Sequence, residues 1–347
     1  MAASALDSYF KISERGSTVA QEVRGGLVTF LTMAYIVVLN PLILGYTQDV
    51  NGKFLAGGDA PNVAAIAAGT ALVAGLLTIL MGAVANFPLA LATGLGINSF
   101  VATIAAHYMS WQQVMGLVVL EGLIITVLVL TGFRSAVLHA VPRQLKVAIS
   151  VGIGLFITII GLVDSRFVQR TEAGPVPVNL GVGGSLMGWP IMVFIIGLLL
   201  IAFLYARKVK GAILFGILGA AILAVGFEKV WAIGPNFSYD ASGNPVINPV
   251  GWSLNVPSIP SSITATPSFA SLGQFDLFGG FAAAGVVTAS LLVFTLLITD
   301  FFDTMGTMTA IATEAGLIDS EGEIPHSDRI LLVDSIAAAV GGAAGVS

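Results

Sequence analysis

The chain has 347 residues, of which 56% are hydrophobic and only 10% charged. Soluble domains carry about 25% charged residues, so the composition excludes an ordinary globular protein and reads as an all-α polytopic membrane protein. With no cysteine, disulfides, iron–sulfur clusters and thiolate chemistry are excluded. The formal charge of −5 contains no basic run, so no nucleic-acid partner is expected.

Residues 1–24 are polar and carry Lys11, Glu14, Arg15, Glu22 and Arg24. That pattern lacks the apolar core of a cleavable signal, and it predicts a short amphipathic helix in a cytoplasmic N-terminal segment. A span needs roughly 20 apolar residues. Nine candidates follow in order: 25–44, 63–84, 86–105, 112–132, 143–163, 190–206, 211–228, 281–307 and 329–346. The third and sixth are weak or short. Connections are brief except 230–280, rich in Pro, Ser, Asn and Gly, which reads as an ordered excursion outside the membrane.

Orientation follows from the basic residues. With the N-terminus inside, the inner segments hold Lys11, Arg15, Arg24, Arg134, Arg143, Lys146, Arg207, Lys208, Lys210 and Arg329. The outer segments hold Lys53, Arg166, Arg170 and Lys229. Ten against four places the N-terminus and the acidic stretch Glu314, Asp319, Glu321, Glu323 in the cytoplasm, and 230–280 outside. The chain stops at Ser347 directly after the ninth span; that odd count and abrupt stop read as a fragment.

Within the third candidate, Pro88, Gly94 and Gly96 argue against a regular helix. Non-helical backbone at membrane depth is tolerated only where protein buries it or water lines it. Transporters use such breaks to expose backbone groups and a half-helix N-terminus to substrate. Asn98 follows the break and can donate and accept; a packing seam with a capping Asn is the bland alternative.

The strongest signal is Asp300 and Asp303. They lie in an apolar segment and share a helix face at i,i+3, which Thr307 continues. Acids at membrane depth mark substrate or proton pathways by default. Apolar residues resume after Thr307, which argues against a helix end emerging into water; a structural hydrogen bond to a neighbouring span is the other alternative. A carboxylate accepts two N–H donors at once, as a purine or pyrimidine edge offers, and Asp303 is the favoured direct contact. Glu121, in the middle of the fourth span, is either a second proton site or a structural partner. Asp334 reads as structural, Asn40-Pro41 as a kink or helix end, and His107 as interfacial. Phe301 and Phe302 flank the acids, where an aromatic face can stack on a flat ligand or simply pack.

Three strings carry a resemblance: Thr32-Met33-Ala34-Tyr35-Ile36-Val37-Val38-Leu39-Asn40-Pro41, Gly94-Leu95-Gly96-Ile97-Asn98-Ser99-Phe100, and Asp300-Phe301-Phe302-Asp303-Thr304-Met305-Gly306-Thr307. They resemble the AzgA-like purine permeases, hypoxanthine/guanine/adenine carriers of the nucleobase–ascorbate transporter group, from about Phe10 to the last residue. The resemblance implies fourteen spans in two inverted repeats of seven, with a core domain moving against a gate domain in an elevator-type cycle. On that frame, 25–132 are core spans 1–4, 133–229 gate spans 5–7, 230–280 the extracellular or periplasmic loop, and 281–347 core spans 8–9. The chain would be truncated before span 10. The family holds purine with an Asn of the third span, an acid of the eighth and an acid of the tenth. Asn98 matches the first, and Asp303 the second through its acid-x-x-Gly pattern; the third has no counterpart here.

The expected function is therefore purine import by proton symport in a multi-pass cell-membrane protein, most simply of a bacterial inner membrane. It needs no covalent chemistry, cofactor or metal. Asp303, Asn98, Gly96, Phe302 and Thr307 would contact purine, and Asp303, Asp300 and Glu121 would carry the proton (Na⁺ being the alternative ion). The lipid bilayer and a second copy of the chain, as a homodimer, are the expected partners. The rival readings are a carrier of the same fold for uracil or xanthine, and a non-transporting purine sensor. An intramembrane aspartyl hydrolase is disfavoured because both aspartates lie on one helix.

Overall fold

The computed structural model describes residues 5–133, 137, 141–171, 176–209, 211–239, 244–253, 255–259, 266–319 and 324–347, with backbone alone at 5, 143, 146, 150, 153 and 239. Arg134, Lys210, Glu321 and Glu323, used in the orientation argument, lie outside the described residues. The chain divides into one unit of residues 1–153 and 266–347 and a second of residues 154–265.

The first unit opens with α1 (Ala5–Phe10), α2 (Val19–Met33) and α3 (Ile36–Gly45). Thr18 caps α2 by accepting from Gln21 N at 3.2 Å. The first expected span is thus two helices, parted by a turn at Ala34–Tyr35. Next comes α4 (Val63–Leu80), whose end loosens into a π-helical turn, Met81–Ala85, and closes on Asn86 at φ +51°. Asn tolerates that left-handed backbone because its short polar side chain bonds locally. Here Asn86 Nδ2 donates to Phe10 O at 3.4 Å, Arg15 Nη1 donates to Asn86 Oδ1 at 3.4 Å, and the Tyr9 hydroxyl donates to Ala83 O. The N-terminal segment is therefore fastened to this end of α4.

Residues 87–94 run without helix, and α5 (Leu95–Thr103) follows, then a 3₁₀ turn Ala105–His107. Thr78 supports the unwound stretch from α4: it accepts from Leu91 N at 3.0 Å and lies 3.2 Å from Leu91 O. Next is α6 (Trp111–Leu130), started by a capping box in which Ser110 N donates to Gln113 Oε1 at 3.0 Å. Past the second unit come α10 (Gly279–Ala284), α11 (Val286–Glu314) and α12 (Ser327–Ala343). Gly285, at φ +80°, parts α10 from α11.

The core of this unit joins α4, α5, α6, α11 and α12, through side chains such as Ile66, Met81, Val101, Met115, Met305 and Leu331. The α6–α12 seam is built of small residues: a Cβ on Gly122 would stand 2.3 Å from Ala339 N, and one on Gly342 2.8 Å from Val119 N. Such backbone approach is the usual means of packing helices where lipid removes the hydrophobic drive.

The second unit holds the end of α7 (Arg143–Asp164), then α8 (Trp189–Ala206) and α9 (Ala212–Trp231). The last two pack closely, since a Cβ on Gly216 would stand 2.0 Å from Ile201 Cγ1. Glu228, near the end of α9, accepts from Ile233 N at 3.1 Å and Trp252 Nε1 at 2.7 Å, tying the following loop to the helix.

Two expectations are corrected. The chain is helical but not purely α: β1 (Val168–Arg170) pairs antiparallel with β2 (Val178–Leu180), and β3 (Phe237–Tyr239) with β4 (Pro245–Ile247). Paired strands use backbone groups that short loops otherwise leave unbonded. Among the described residues, seven helical stretches rather than nine are long and apolar enough to cross a membrane. The third candidate is unwound to Gly94, at the break that Pro88, Gly94 and Gly96 predict. The ninth is α12, a 17-residue helix that carries Asp328, Arg329 and Asp334. It ends in a Schellman turn, with Gly345 at φ +68°, Val346 N donating to Gly341 O at 3.0 Å and Gly345 N to Gly342 O at 3.0 Å. The seven spans fit a multi-pass membrane protein.

Candidate functional site

α11 is 29 residues long, about 44 Å at 1.5 Å per residue, and Asp300 is its fifteenth residue, at mid-helix. Asp303, one turn on, meets the unwound segment: a Cβ on Gly94 would stand 3.5 Å from Asp303 Oδ2. Gly94 is the N-cap residue of α5, in extended backbone at φ −71° and ψ 115°. The first amides of a helix have no internal partner, and its N-terminus carries partial positive charge. A carboxylate and a set of backbone N–H donors therefore share one place at the break.

Behind it lies a cavity of about 70 Å³, whose walls include Thr93, Gly94 and Ile97, Glu121 of α6, Asp300 of α11, and Asp334 of α12. That volume holds a few waters. Glu121 and Asp300 are buried, and Asp334 is partly so. Thr304 bridges two of the walls: its Oγ1 is 2.7 Å from Asp334 Oδ2 and 2.9 Å from Asp300 O. A larger groove of about 430 Å³ lies beside the N-terminus of α6, near Lys53, Trp111 and Gln274. Its carboxylate, Asp49, is spent on structure: Oδ1 accepts from Asn51 N at 2.8 Å and Lys53 N at 3.0 Å, and Oδ2 from Trp111 N at 3.1 Å.

The expected site residues separate. Asp303 of α11 meets Gly94, two residues before Gly96 in the first turn of α5, with Asp300 and Glu121 on the neighbouring cavity. Asn98 is fully buried, and its Nδ2 donates to Asn40 Oδ1 rather than facing that cavity. The Thr307 hydroxyl donates to Asp303 O at 2.8 Å, a back-bond within α11. Phe302 is 40% exposed and stands edge-on to buried Phe301, their centroids 5.5 Å apart. Asp334 was read as structural, yet it lines the same cavity as Asp300 and Glu121. The signal was available, since Asp334 too is an acid inside an apolar run. Thr304, the residue that links it to α11, gave no separate signal. Asn40 is buried within α3 beside Pro41, and His107 is exposed at the end of its 3₁₀ turn.

The model of the Permease family matches residues 20–347. The chain belongs to this family. It is 32% identical over 349 residues to the guanine/hypoxanthine permease PbuG of Bacillus subtilis (strain 168), covering 99% of this chain and 70% of that protein. It is 32% identical over 346 residues to the guanine/hypoxanthine permease GhxP of Escherichia coli O157:H7, covering 99% and 68%. It is 31% identical over 348 residues to the adenine permease AdeP of Escherichia coli (strain K12), covering 99% and 67%. These relatives are named as transporters, not as enzymes. The family supports a nucleobase transporter, as its relatives are purine nucleobase permeases.

Proposed function

We propose that this permease imports hypoxanthine, guanine and adenine by proton symport across a bacterial inner membrane. The observation that carries the reading is the meeting of Asp303 with the N-cap of α5. A purine presents N–H donors and ring-nitrogen or carbonyl acceptors along one edge. A carboxylate accepts from the donors, and free amides of a half-helix donate to the acceptors. Asp303 contacts the base, with Gly96 in the amide turn and Asn98 one turn on; Thr307 and Phe302 support the segment. Asp303, Asp300 and Glu121 load the co-transported proton from outside and release it inside.

The fourteen-span, inverted-repeat architecture belongs to the same proposal, with residues 25–132 and 281–347 as a core that travels against gate spans at 133–229. The N-terminus is cytoplasmic and 230–280 lie outside. The fastening of Tyr9 and Arg15 to the Ala83–Asn86 turn gathers the N-terminal segment and the end of the second span at one end, as two successive crossings require, while the side rests on the basic residues. Asp49 and Trp111, and Gly273 and Ala343, bond to one another at the opposite ends of their helices.

The test is uptake of labelled hypoxanthine at acid and neutral pH, in purine-uptake-deficient cells expressing the complete reading frame, with Asp303→Asn alongside. Acid-stimulated accumulation that the variant loses is the expected result. Proton-coupled accumulation retained by Asp303→Asn, or none by the wild type when it is present in the membrane, overturns the reading.

A further inference from the structure

Three buried side chains of the first unit, Thr70, Asn40 and Asn98, form a hydrogen-bond chain whose direction is set by counting protons. Thr70 Oγ1 lies 2.7 Å from Ile66 O. A carbonyl can only accept, so the single Thr70 proton is used there and its oxygen is left as an acceptor. Asn40 Nδ2 lies 2.8 Å from that oxygen and 3.1 Å from Val346 O. Both partners require donors, which fixes the Asn40 amide with its nitrogen toward them and Oδ1 toward Asn98. Asn98 must then present Nδ2 to Asn40, as the structure has it. The Asn98 carbonyl oxygen is turned the other way. It is fully buried and has no hydrogen-bond partner among the described residues.

A buried acceptor without a donor is costly, and native structures keep few of them. Asn98 sits one turn into α5, and its N–H donates to the carbonyl of Gly94, the residue beside Asp303. Asn98 thus lies one helical turn past the residue that meets Asp303.

We propose that Asn40 is a positioning residue for transport: it locks Asn98 so that the site offers a carbonyl and not an NH₂, and the transported base must bring an N–H to it. This rests on the purine reading above and deepens it. Asn40 touches no substrate. Val346 O and Thr70 hold it from two directions, so loss of either hold frees the Asn98 amide to turn over. A locked acceptor rejects a base whose N–H is blocked, because the buried carbonyl then stays without a donor. An amide free to turn over would lose that discrimination.

The experiment compares wild type, Asn40→Leu, Asn98→Leu and the double variant in the complete reading frame, reading half-saturation for hypoxanthine, competition by hypoxanthines methylated singly at each ring nitrogen, and abundance in the membrane. In the wild type, one methyl position competes about tenfold less well than the others. Asn40→Leu raises half-saturation about five- to tenfold and flattens that discrimination. The double variant is no worse than Asn98→Leu alone, as expected for residues acting in series. Thr70→Val, which removes only one hold, moves both readouts the same way by less and covers the case in which Asn40→Leu does not accumulate. Unchanged half-saturation and discrimination in Asn40→Leu and Thr70→Val overturn the inference while leaving purine transport standing. Absence of purine uptake and purine binding in the wild type overturns both.

Discussion

The Thr304 hydroxyl of α11 lies 2.7 Å from Asp334 Oδ2 of α12 and 2.9 Å from the main-chain oxygen of Asp300, so one proton stands between two acceptors. The Asp334 carboxylate accepts a hydrogen bond from that hydroxyl, which is shared with the main-chain oxygen of its own helix. Removing the hydroxyl with Thr304→Val is expected to cost about 1–3 kcal/mol, as for a hydrogen bond to a charged group, and Thr304→Ser to cost less. Thermal unfolding in detergent is the check, and a valine variant as stable as wild type would exclude the bond's contribution.

Gly94 gives a graded probe of the break. A methyl group there stands 3.5 Å from both Asp303 Oδ2 and Ile97 Cδ1, ordinary contact, and the backbone is extended at φ −71°. Gly94→Ala is therefore expected to accumulate normally and to retain most uptake. Gly94→Leu puts its bulk against the carboxylate and is expected to lose uptake tenfold or more, about 1.4 kcal/mol, at equal abundance. Equal activity of the two variants would show that the space beside Asp303 is not used.

The α6–α12 seam predicts a stability contrast rather than a functional one. Gly122→Ala forces a methyl to within 2.3 Å of the Ala339 amide, where backbone must shift, and is expected to destabilise by about 1–3 kcal/mol. Gly75→Ala, on α4, meets nothing within 4 Å and gains the better helix former. It is expected to be neutral or slightly stabilising. Thermal melting of the two variants side by side decides the matter, and equal melting temperatures would contradict the close approach.

Much of this was legible in the residues. Asp300 and Asp303 declared themselves because charge inside an apolar run has few structural explanations, and Pro88, Gly94 and Gly96 showed where the third span fails to be a helix. What periodicity could not show is contact. Asn40 and Asn98 are 58 positions apart, and nothing local distinguishes an amide that anchors another from one that ends a helix. Asp334 reads as structural in the sequence, and its partner, Thr304, comes from another helix that no local pattern points to. The turn at Ala34–Tyr35 carries neither Gly nor Pro, so an unbroken first span was the natural expectation. The short strands were hidden because pairing, not propensity, makes them.

The paired contacts of Thr78 with Leu91 act like a dowel. The side chain both receives the peptide N–H and reaches the peptide oxygen of one residue in a segment that would otherwise have no ladder. Sliding the segment by a single position would forfeit both together. α4 and the unwound stretch are thus pinned in register, so that Gly94 keeps one fixed place relative to α4, as a wheel does on its axle.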